Sequence, residues 1–444
     1  MIKGENQKVV ILGAGLAGLS SAFKLKKQGI ETILLEKTSI AGGTAKTVKK
    51  NEYLFDLTGH ALHLSDDIAK EFIFNELNLG KELVAVERKS VILMDDEFIP
   101  YPFQYNLSYL EENKRNLCVI EFLKTNYKNL HQTDNTNTNN LSFYRSFEQF
   151  CYSTLGKGIS ELFMIPYNEK LWATKAKDMG IEWMGKYVPK PNFEKIIEGA
   201  FVKKEVDGSG YNAHFYYPKS GGIQTLSNAI YGDIRDLVYF NQEVTGVDLE
   251  NKEVFCGNKK YKYQYLISSI PLPEFLKLTN LSDKDRNLKW NVVRAFFVAV
   301  PSKKTPPFTW IYVPDPKNKI YRIGNFSLFS PSLSTNNEDV LYIECSANHE
   351  ELEKLPTYEQ IKDEIEKITQ LDIDKIKLIE IIDICPGYPI YDLSWKEKVN
   401  SIKKDLEEKD VIVAGRYGSW KYESMEDSIM DGIIASNLII QKGQ

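Results

Sequence analysis

The chain has 444 residues, of which 43% are hydrophobic, and its formal net charge is -5. A chain of this length can bury a large core and exceeds one simple domain, so we expect two or three domains. The mild acidic balance argues against bulk attraction to nucleic acid or to an anionic membrane surface. No apolar run reaches the roughly 18 residues that a membrane-spanning helix needs.

The cysteine pattern argues against disulfides and structural metal sites. Five cysteines are scattered along the chain without a CxxC pair, which is typical of reduced thiols. The segment Met1–Lys8 is polar and does not resemble a signal peptide. We therefore expect a cytoplasmic protein with no metal site, whose redox chemistry, if it has any, comes from a cofactor.

A glycine-rich turn follows the first apolar strand. Residues 9–12 (VVIL) run into Gly13-Ala14-Gly15-Leu16-Ala17-Gly18, a helix is predicted from there to Gln28, and a second apolar strand ends at Glu36. The first glycine allows a tight turn, the second lets the backbone approach a pyrophosphate, and the third lets helix and strand pack closely. A carboxylate at Glu36 can accept hydrogen bonds from a ribose. The pattern predicts a dinucleotide site at the helix N-terminus.

The middle of the chain is mainly helical by periodicity. Helices are predicted over 66–79, 107–127, 147–163 and 177–186. A β-hairpin is predicted over 84–99, turning at Asp95-Asp96, and the Asn/Thr-rich residues 131–140 predict a surface loop. Residues 100–195 are therefore expected to form a helical insert.

Strand patterns dominate the second half. They cover 213–217, 238–249, 261–269 and much of 290–350. A helix is predicted over 358–369, a buried strand over 411–415, and a final helix over 424–438. Ser424 and Asp427 have the spacing of a capping box at its start. Apolar Ile429, Ile433, Ile434 and Leu438 are expected to share one stripe of that helix.

Several segments resemble, in order, the motifs of one family. They are Gly42-Gly43 and residues 55–60 (FDLTGH), Tyr101–Gln104, 163–173 (FMIPYNEKLWA), 310–314 (WIYVP), Tyr321-Arg322, 326–331, 387–389 and 415–423 (GRYGSWKYE). Together they resemble the eukaryotic-type UDP-galactopyranose mutases, a branch of the FAD-dependent amine oxidase and protoporphyrinogen oxidase superfamily.

The resemblance implies an α/β fold with a discontinuous Rossmann-like FAD-binding domain, a helical insert domain and an antiparallel β-sheet substrate domain. The implied boundaries are 1–85, 218–270 and 409–444 for the FAD-binding domain, 100–195 for the helical domain, and 86–99, 196–217 and 271–408 for the substrate domain.

The resemblance also implies an unusual use of flavin. The enzymes of this family interconvert pyranose and furanose forms of a nucleotide-diphosphate sugar, and N5 of the reduced flavin acts as nucleophile at the anomeric carbon without net redox. FAD is then the cofactor, a nucleotide sugar is the substrate, and NADPH or NADH is the expected reductant. A homo-oligomer is also compatible with the family, and glycan biosynthesis is the expected context.

The cofactor residues implied by the motifs come from both ends of the chain. They are Gly13, Gly15, Leu16, Ala17, Gly18, Glu36, Lys37, Gly42, Gly43, Thr44, Gly59, His60, Val244, Gly415, Arg416, Tyr422, Met425, Asp427 and Ser428. His60 matches a histidine beside the flavin ring, and the family ties its position to the redox state.

The substrate residues implied by the resemblance are mostly aromatic. They are Tyr101, Phe103, Tyr167, Asn168, Trp172, Asn192, Trp310, Tyr312, Arg322, Tyr388 and Tyr422. Arg322 matches the arginine that binds the substrate diphosphate, and with His60 it is the expected catalytic residue. Its forked guanidinium suits a diphosphate.

Two positions depart from the family pattern. Its second diphosphate arginine is Ile165 here, and Lys170, Lys203 or Lys204 are candidates to replace that charge. The closing motif also has SMEDS at 424–428 where the family has GNQDH. An FAD-dependent oxidoreductase of the amine or protoporphyrinogen oxidase type is therefore the alternative prediction, and a nicotinamide-binding protein without catalysis is a third.

Overall fold

The computed structural model describes residues 8–131, 144–188, 191–203, 213–279, 281, 287–335 and 337–442. The predicted Asn/Thr-rich loop lies outside these residues from position 132 onward, and so does Lys204.

A five-stranded parallel sheet carries the glycine-rich turn. Its strands, in spatial order, are Val411–Val413, Tyr265–Ser268, Lys8–Leu12, Glu31–Leu35 and Val238–Tyr239. Val9 to Leu12 are completely buried, because the central strand of a parallel sheet is covered on both faces. The start, middle and end of the chain thus meet in one sheet.

The first and last long helices pack against each other beside this sheet. In Leu16–Lys27, the hydroxyls of Ser20 and Ser21 donate to the carbonyls of Ile429 and Gly432 in Met425–Lys442, at 3.0 and 2.9 Å. Ile429 and Ile433 are buried in this contact, as expected.

The predicted apolar stripe of the last helix is wrong for two residues. Ile434 and Leu438 are 50% and 46% exposed, because the helix turns about 100° per residue and carries them away from the buried line.

The second large element is an eight-stranded sheet. Its spatial order is Lys377–Ile384, Lys289–Pro301, Glu338–Asn348, Arg322–Asn325, Trp310–Tyr312, Ser90–Met94 and Glu97–Pro100, with Pro389–Ile390 paired beside the start of Lys289–Pro301. All pairs are antiparallel except one, in which Trp310–Tyr312 runs parallel to Ser90–Met94. The sheet predicted to be antiparallel is therefore mixed at that pair. One of its faces packs toward the large cavity described below, and the other packs on helix Lys362–Thr369.

The helical segment agrees with its prediction except near its end. Its helices are Glu112–His131, Phe147–Ile159, Ser160–Met164 (a π-helix), Ile165–Trp172 and Phe193–Phe201. The helix predicted over 177–186 is wrong, since only the 3₁₀ turn Ala176–Asp178 precedes a run of turns. Backbone pairing of Met179 with Asp392 and Phe147 replaces helical hydrogen bonds there.

Two strand predictions also need correction. The hairpin is shorter than expected and joins Ser90–Met94 to Glu97–Pro100, while Leu83–Glu87 pairs with His214–Pro218. Its turn is at Asp95-Asp96, and both residues have positive φ, as two-residue hairpin turns of type I′ require. The strand predicted over 238–249 is divided between the parallel sheet and a separate three-stranded sheet.

The remaining elements connect these layers. The strands are Thr47–Lys50, Tyr53–Asp56, Gly246–Asp248, Glu253–Cys256 and Lys259–Lys262; the helices are Asp67–Lys70, Glu71–Glu76 (a π-helix), Gln224–Asp233, Leu272–Leu278, Trp395–Glu407 and Gly415–Gly418. Within the described residues, no helix combines the length and the apolar character needed to cross a bilayer.

Candidate cofactor and substrate site

One continuous cavity of about 1080 Å³ runs from the glycine-rich turn to the eight-stranded sheet. This exceeds the upper end of the usual range for one drug-sized ligand, which is about 1,000 Å³, and it leaves room for two ligands. Residues from the parallel sheet, the helical segment and the eight-stranded sheet all line it.

The glycine-rich turn has the geometry that its sequence predicts. Gly13 has φ +94°, a conformation that side chains disfavour. A Cβ at Gly18 would lie 2.0 Å from the carbonyl oxygen of Gly13, so this contact between helix and turn admits only glycine. Gly15 has open space where a Cβ would stand and lines the cavity. A phosphate can therefore approach the backbone at Gly15.

Glu36 closes the turn at the far end of the cavity. Its carboxylate accepts hydrogen bonds from the backbone N–H of Ala14 and Thr38, each at 2.8 Å, and from the Thr38 hydroxyl at 2.7 Å. These donors hold the carboxylate at the cavity wall with lone pairs left for the hydroxyls of a ribose. This is the position that the sequence pattern predicts for it.

The first turn of the last helix also reaches the cavity. Ser424 and Asp427 form the predicted capping box: the Asp427 N–H donates to the Ser424 hydroxyl at 3.1 Å, and the Ser424 N–H donates to the Asp427 carboxylate at 2.9 Å. Met425 and Ser428 line the cavity from the first turn of the helix. Its positive end can stabilise an anionic ligand.

His60 also lines the cavity. Its Nδ1 is buried, makes no hydrogen bond within the described residues, and lies 3.8 Å from a carboxylate oxygen of Asp56. Burial, together with the charges of Arg416 and Arg322, lowers the pKa of His60 to about 3. The imidazole is therefore neutral at pH 7, and the residue lines the cavity.

Arg322 lies in a buried aromatic cleft. Its guanidinium forms an ion pair with Glu344, which is fully buried. Tyr312 stands opposite Arg322 in the neighbouring strand, and the rings of Tyr101 and Tyr167 lie 5.4 and 5.2 Å from that of Tyr312.

A second group of rings completes the wall. The Trp172 ring contacts those of Tyr388 and Tyr422 at 5.6 and 5.4 Å, and the Arg416 guanidinium lies 5.5 Å from each tyrosine ring. Arg416 donates to the carbonyl oxygen of Glu423, which fixes the guanidinium beside them. The cleft thus offers cations and phenol groups to an anionic ligand.

Most of the predicted site residues line this cavity. Those that do not are Gly18, Phe103, Asn192 and Asp427. Gly18 packs under the turn, as its predicted packing role requires, and Phe103 is fully buried against Phe163. The structure brings every other predicted cofactor and substrate residue to the cavity wall.

Asn192 and Asp427 have structural partners instead. The Asn192 side chain accepts from the Lys195 N–H at 2.9 Å and caps Phe193–Phe201, whereas Asp427 accepts hydrogen bonds from Ser424, Lys186 and Tyr187. Neither side chain is placed to contact a ligand of the cavity.

Two of the lysines predicted to replace the family's arginine at position 165 do not reach the cavity either. The Lys170 ammonium donates to three backbone carbonyls, those of Val313, Asp315 and Ile320, at 2.6 to 3.0 Å. Lys203 is exposed and lies over the ring of Tyr109. Ile165 itself packs on the core and does not line the cavity.

Sequence reasoning missed several lining residues. They include Lys46, His63, Arg88, Trp183, Tyr187 and Tyr417. Arg88 had no motif around it, because its place in the cavity depends on strand pairing between residues more than 200 positions apart. The part of the chain that the structure describes holds no cluster of His, Cys, Asp and Glu suited to a metal ion.

Comparison with known proteins supports the fold. Residues 11–76 match the family model described as an NAD(P)-binding Rossmann-like domain. A solved structure of reduced UDP-galactopyranose mutase has a TM-score of 0.87 with this chain at 24% identity, covering 99% of this chain and 94% of the other. The chain has the fold of UDP-galactopyranose mutase. The resemblance predicted from the motifs, and the fold class with it, is thereby confirmed.

Other relatives place this fold in a wider group. A solved Exiguobacterium sp. 255-15 protein described as a protoporphyrinogen oxidase has a TM-score of 0.73 at 14% identity, covering 99% of each chain. A Dictyostelium discoideum protein named a flavin-containing monoamine oxidase A is 31% identical over 90 residues, which are 19% of this chain and 20% of that protein. The match to that relative therefore spans about a fifth of its length. These neighbours support a flavin-binding domain.

The residues present fit FAD. The open backbone at Gly15 can receive a pyrophosphate, Glu36 can bind a ribose, and the first turn of Met425–Lys442 lines the same cavity. His60, whose Nδ1 has no hydrogen-bond partner within the described residues, lines it as well.

Proposed function

We propose that the protein is an FAD-dependent mutase that interconverts pyranose and furanose forms of a nucleotide-diphosphate sugar. The observation that carries this proposal is the joining of a dinucleotide cradle and an arginine-tyrosine cleft in one cavity. Arg322 lies in the aromatic part of this cavity, and its guanidinium fork matches the oxygens of a diphosphate.

The cofactor end would hold FAD through the backbone at Gly13 and Gly15, the Glu36 carboxylate and the N-terminus of the last helix. Bound and reduced, FAD would supply a nucleophilic nitrogen for the anomeric carbon of the sugar. The chain supplies the rest: it orients the sugar and stabilises the departing diphosphate.

The substrate end would bind the diphosphate through Arg322 and the hydroxyls of Tyr312, Tyr388 and Tyr422, while Trp310 and Trp172 bound the cleft. A cleft lined this heavily by buried rings excludes water, and this strengthens each charge-assisted hydrogen bond. A departing diphosphate held there can return to the anomeric carbon. Such retention is what an isomerisation without net hydrolysis requires.

His60 would act next to the reacting atoms as a neutral group. Because its pKa is lowered to about 3, it can donate or accept one hydrogen bond at neutral pH without adding a charge. A neutral imidazole can hydrogen-bond a flavin ring atom in either redox state. Its role is therefore that of a hydrogen-bonding catalytic residue.

The proposal is tested by turnover of the reduced holoprotein. Protein reduced with dithionite is incubated with candidate nucleotide-diphosphate sugars, and pyranose and furanose forms are separated by chromatography. We expect interconversion and a sugar-flavin adduct that borohydride traps, with both abolished in the Arg322→Ala variant. Absence of both from the wild-type protein across the substrate panel would refute the mutase proposal.

The alternative is an FAD-dependent oxidoreductase of the amine oxidase type. It is favoured by the sequence match to a protein named a monoamine oxidase and by the Ile165 departure. This alternative predicts that a substrate bleaches the oxidised flavin under anaerobic conditions and that oxygen is consumed in air. The mutase proposal predicts that a nucleotide sugar does not bleach the oxidised flavin, because the reaction has no net redox and NADPH or NADH is the proposed reductant.

A further inference from the structure

Arg88 brings a partly buried guanidinium to the aromatic part of the cavity. Its Nη2 donates to the Tyr312 hydroxyl at 2.6 Å, and its Nε donates to the Ser90 hydroxyl at 3.0 Å. The guanidinium carbon lies 4.8 Å from the ring centre of Tyr101 and 5.2 Å from that of Trp310. Aromatic faces and hydroxyls therefore hold the group in one orientation.

The partners of Arg88 do not include a counter-ion. Within the described residues no carboxylate lies within ion-pair distance of its guanidinium. Arg322 differs, because the buried Glu344 already neutralises part of its charge. Arg88 is bonded to Tyr312 and Arg322 is paired with it in the sheet, and Arg88 is the one of the two arginines that has no carboxylate partner within the described residues.

A partly desolvated cation without a counter-ion is costly, and such a site gains most when an anionic ligand supplies the missing charge. The planar guanidinium fork also matches the oxygens of a phosphate. Lys170 and Lys203, the other candidate cations, are not placed to bind an anion in the cavity. The Lys170 ammonium donates to three carbonyls, and Lys203 is exposed outside the cavity.

We infer that Arg88 binds the diphosphate of the nucleotide sugar together with Tyr312 and Arg322. This inference rests on the proposed function for the identity of the ligand. Tyr312 is the link: it accepts a hydrogen bond from Arg88 and stands opposite Arg322 in the strand pair. A diphosphate lying across Tyr312 meets a guanidinium on each side, and the chain has no need of a cation at the position of Ile165.

Binding of nucleoside diphosphates to the holoprotein tests the inference without turnover. UDP, dTDP, GDP and ADP are titrated by calorimetry, and the tightest is then measured with the Arg88→Ala and Arg88→Lys variants. Loss of a hydrogen-bonded charge should raise Kd about 10- to 100-fold in Arg88→Ala. Arg88→Lys keeps the charge but loses the fork, so its Kd should lie between the two.

Arg235 provides a matched control. It is an exposed arginine that also lies over a tyrosine ring, Tyr231, but it is outside the cavity. Arg235→Ala should bind the diphosphate as the wild type does. The visible flavin spectrum of each variant confirms that it is folded and loaded.

Three results would overturn the inference. They are an unchanged diphosphate Kd in flavin-loaded Arg88→Ala, a loss confined to NADPH binding, and a wild-type protein that binds none of the four diphosphates. The mutase proposal can fail separately. If diphosphate binding depends on Arg88 but no sugar is isomerised, the mutase proposal is refuted and this inference stands. Conversely, isomerisation with unchanged diphosphate binding in Arg88→Ala refutes only the inference.

Discussion

At the scale of single residues, Asp56 and His60 are neighbours whose pKa values are shifted in opposite directions, that of the acid upward and that of the base downward. Asp56 is fully buried and accepts hydrogen bonds from the hydroxyls of Thr47 and Tyr217, each at 2.6 Å, and from the Ile223 N–H at 3.2 Å. Burial raises the pKa of Asp56 to about 7, although these donors oppose the rise, and burial lowers the pKa of His60 to about 3. Both groups therefore favour their neutral forms.

The raised pKa of Asp56 makes stability depend on pH with a definite sign. The native carboxyl keeps its proton up to about pH 7, whereas the unfolded one loses it near pH 4, so the contribution of this group to stability falls as pH rises between those values. The Asp56→Asn variant cannot titrate there. We expect its urea midpoint, relative to that of the wild type, to be higher at pH 8 than at pH 5.

The matched control for this prediction is Asp374→Asn, because Asp374 is exposed. Its urea midpoint relative to the wild type should be the same at both pH values. Parallel pH profiles for wild type and Asp56→Asn would contradict the expected effect of burial.

Gly18 has no room for a methyl group. A Cβ there would lie 2.0 Å from the Gly13 carbonyl oxygen, so the turn must move. We expect Gly18→Ala to lose most of its bound flavin on gel filtration, measured as the ratio of flavin to protein absorbance. Gly232→Ala is the control, because its Cβ meets no atom within 4 Å. Full flavin retention in Gly18→Ala would show that the turn adapts.

At the scale of elements, the position of the substrate strands depends on a lysine. Lys170, on helix Ile165–Trp172, donates to the carbonyls of Val313, Asp315 and Ile320, in the connection between the strands that carry Tyr312 and Arg322. Burial lowers the pKa of this ammonium to about 8. The helical segment thereby fixes the loop that joins the strands of Tyr312 and Arg322.

Replacement of this lysine should destabilise the loop. Lys170→Met leaves three carbonyls without their donor, and we expect a loss of about 2–4 kcal/mol in the free energy of unfolding, measured by urea denaturation. Lys175→Met is the control, since that lysine forms an exposed ion pair with Glu169 and such pairs are worth about 0–1 kcal/mol. Equal losses in both variants would argue against a structural role for Lys170.

At the scale of the whole molecule, the cavity is built where three regions of the chain meet. The parallel sheet provides the cofactor end, the eight-stranded sheet provides the strands of Tyr312 and Arg322, and the helical segment provides Tyr167 and Trp172. Ligands that fill this cavity together contact all three regions. Their binding should therefore stabilise the whole chain and not one part alone.

Flavin binding should raise the melting temperature of the protein. A ligand at 100 times its Kd stabilises the native state by about 2.7 kcal/mol, so apoprotein stripped of flavin should melt several degrees below the same protein reloaded with FAD. The measurement is differential scanning fluorimetry followed through tryptophan emission. NAD is the comparison, and an equal shift with NAD would point to a nicotinamide site in place of a flavin site.

The dinucleotide cradle could be read from the sequence because its parts are local. Strand, turn, helix and acid occupy about 30 consecutive residues in such motifs, and each glycine has its own backbone reason. The capping box at Ser424 and the Asp95-Asp96 turn were predictable on the same ground. The motif resemblance added the fold, which the structure and its comparison confirm.

The tertiary structure decided what no local pattern contains. Arg88 reaches the cleft because the neighbouring strand Ser90–Met94 pairs in parallel with Trp310–Tyr312. The Asn192 side chain caps a helix. The residues 177–186 lose their helix because Met179 bonds to Phe147 and Asp392. Local sequence patterns determine the cradle and most helices. Long-range strand pairing and burial determine which residues line the cleft, because they bring together residues whose neighbouring sequence does not indicate the contact.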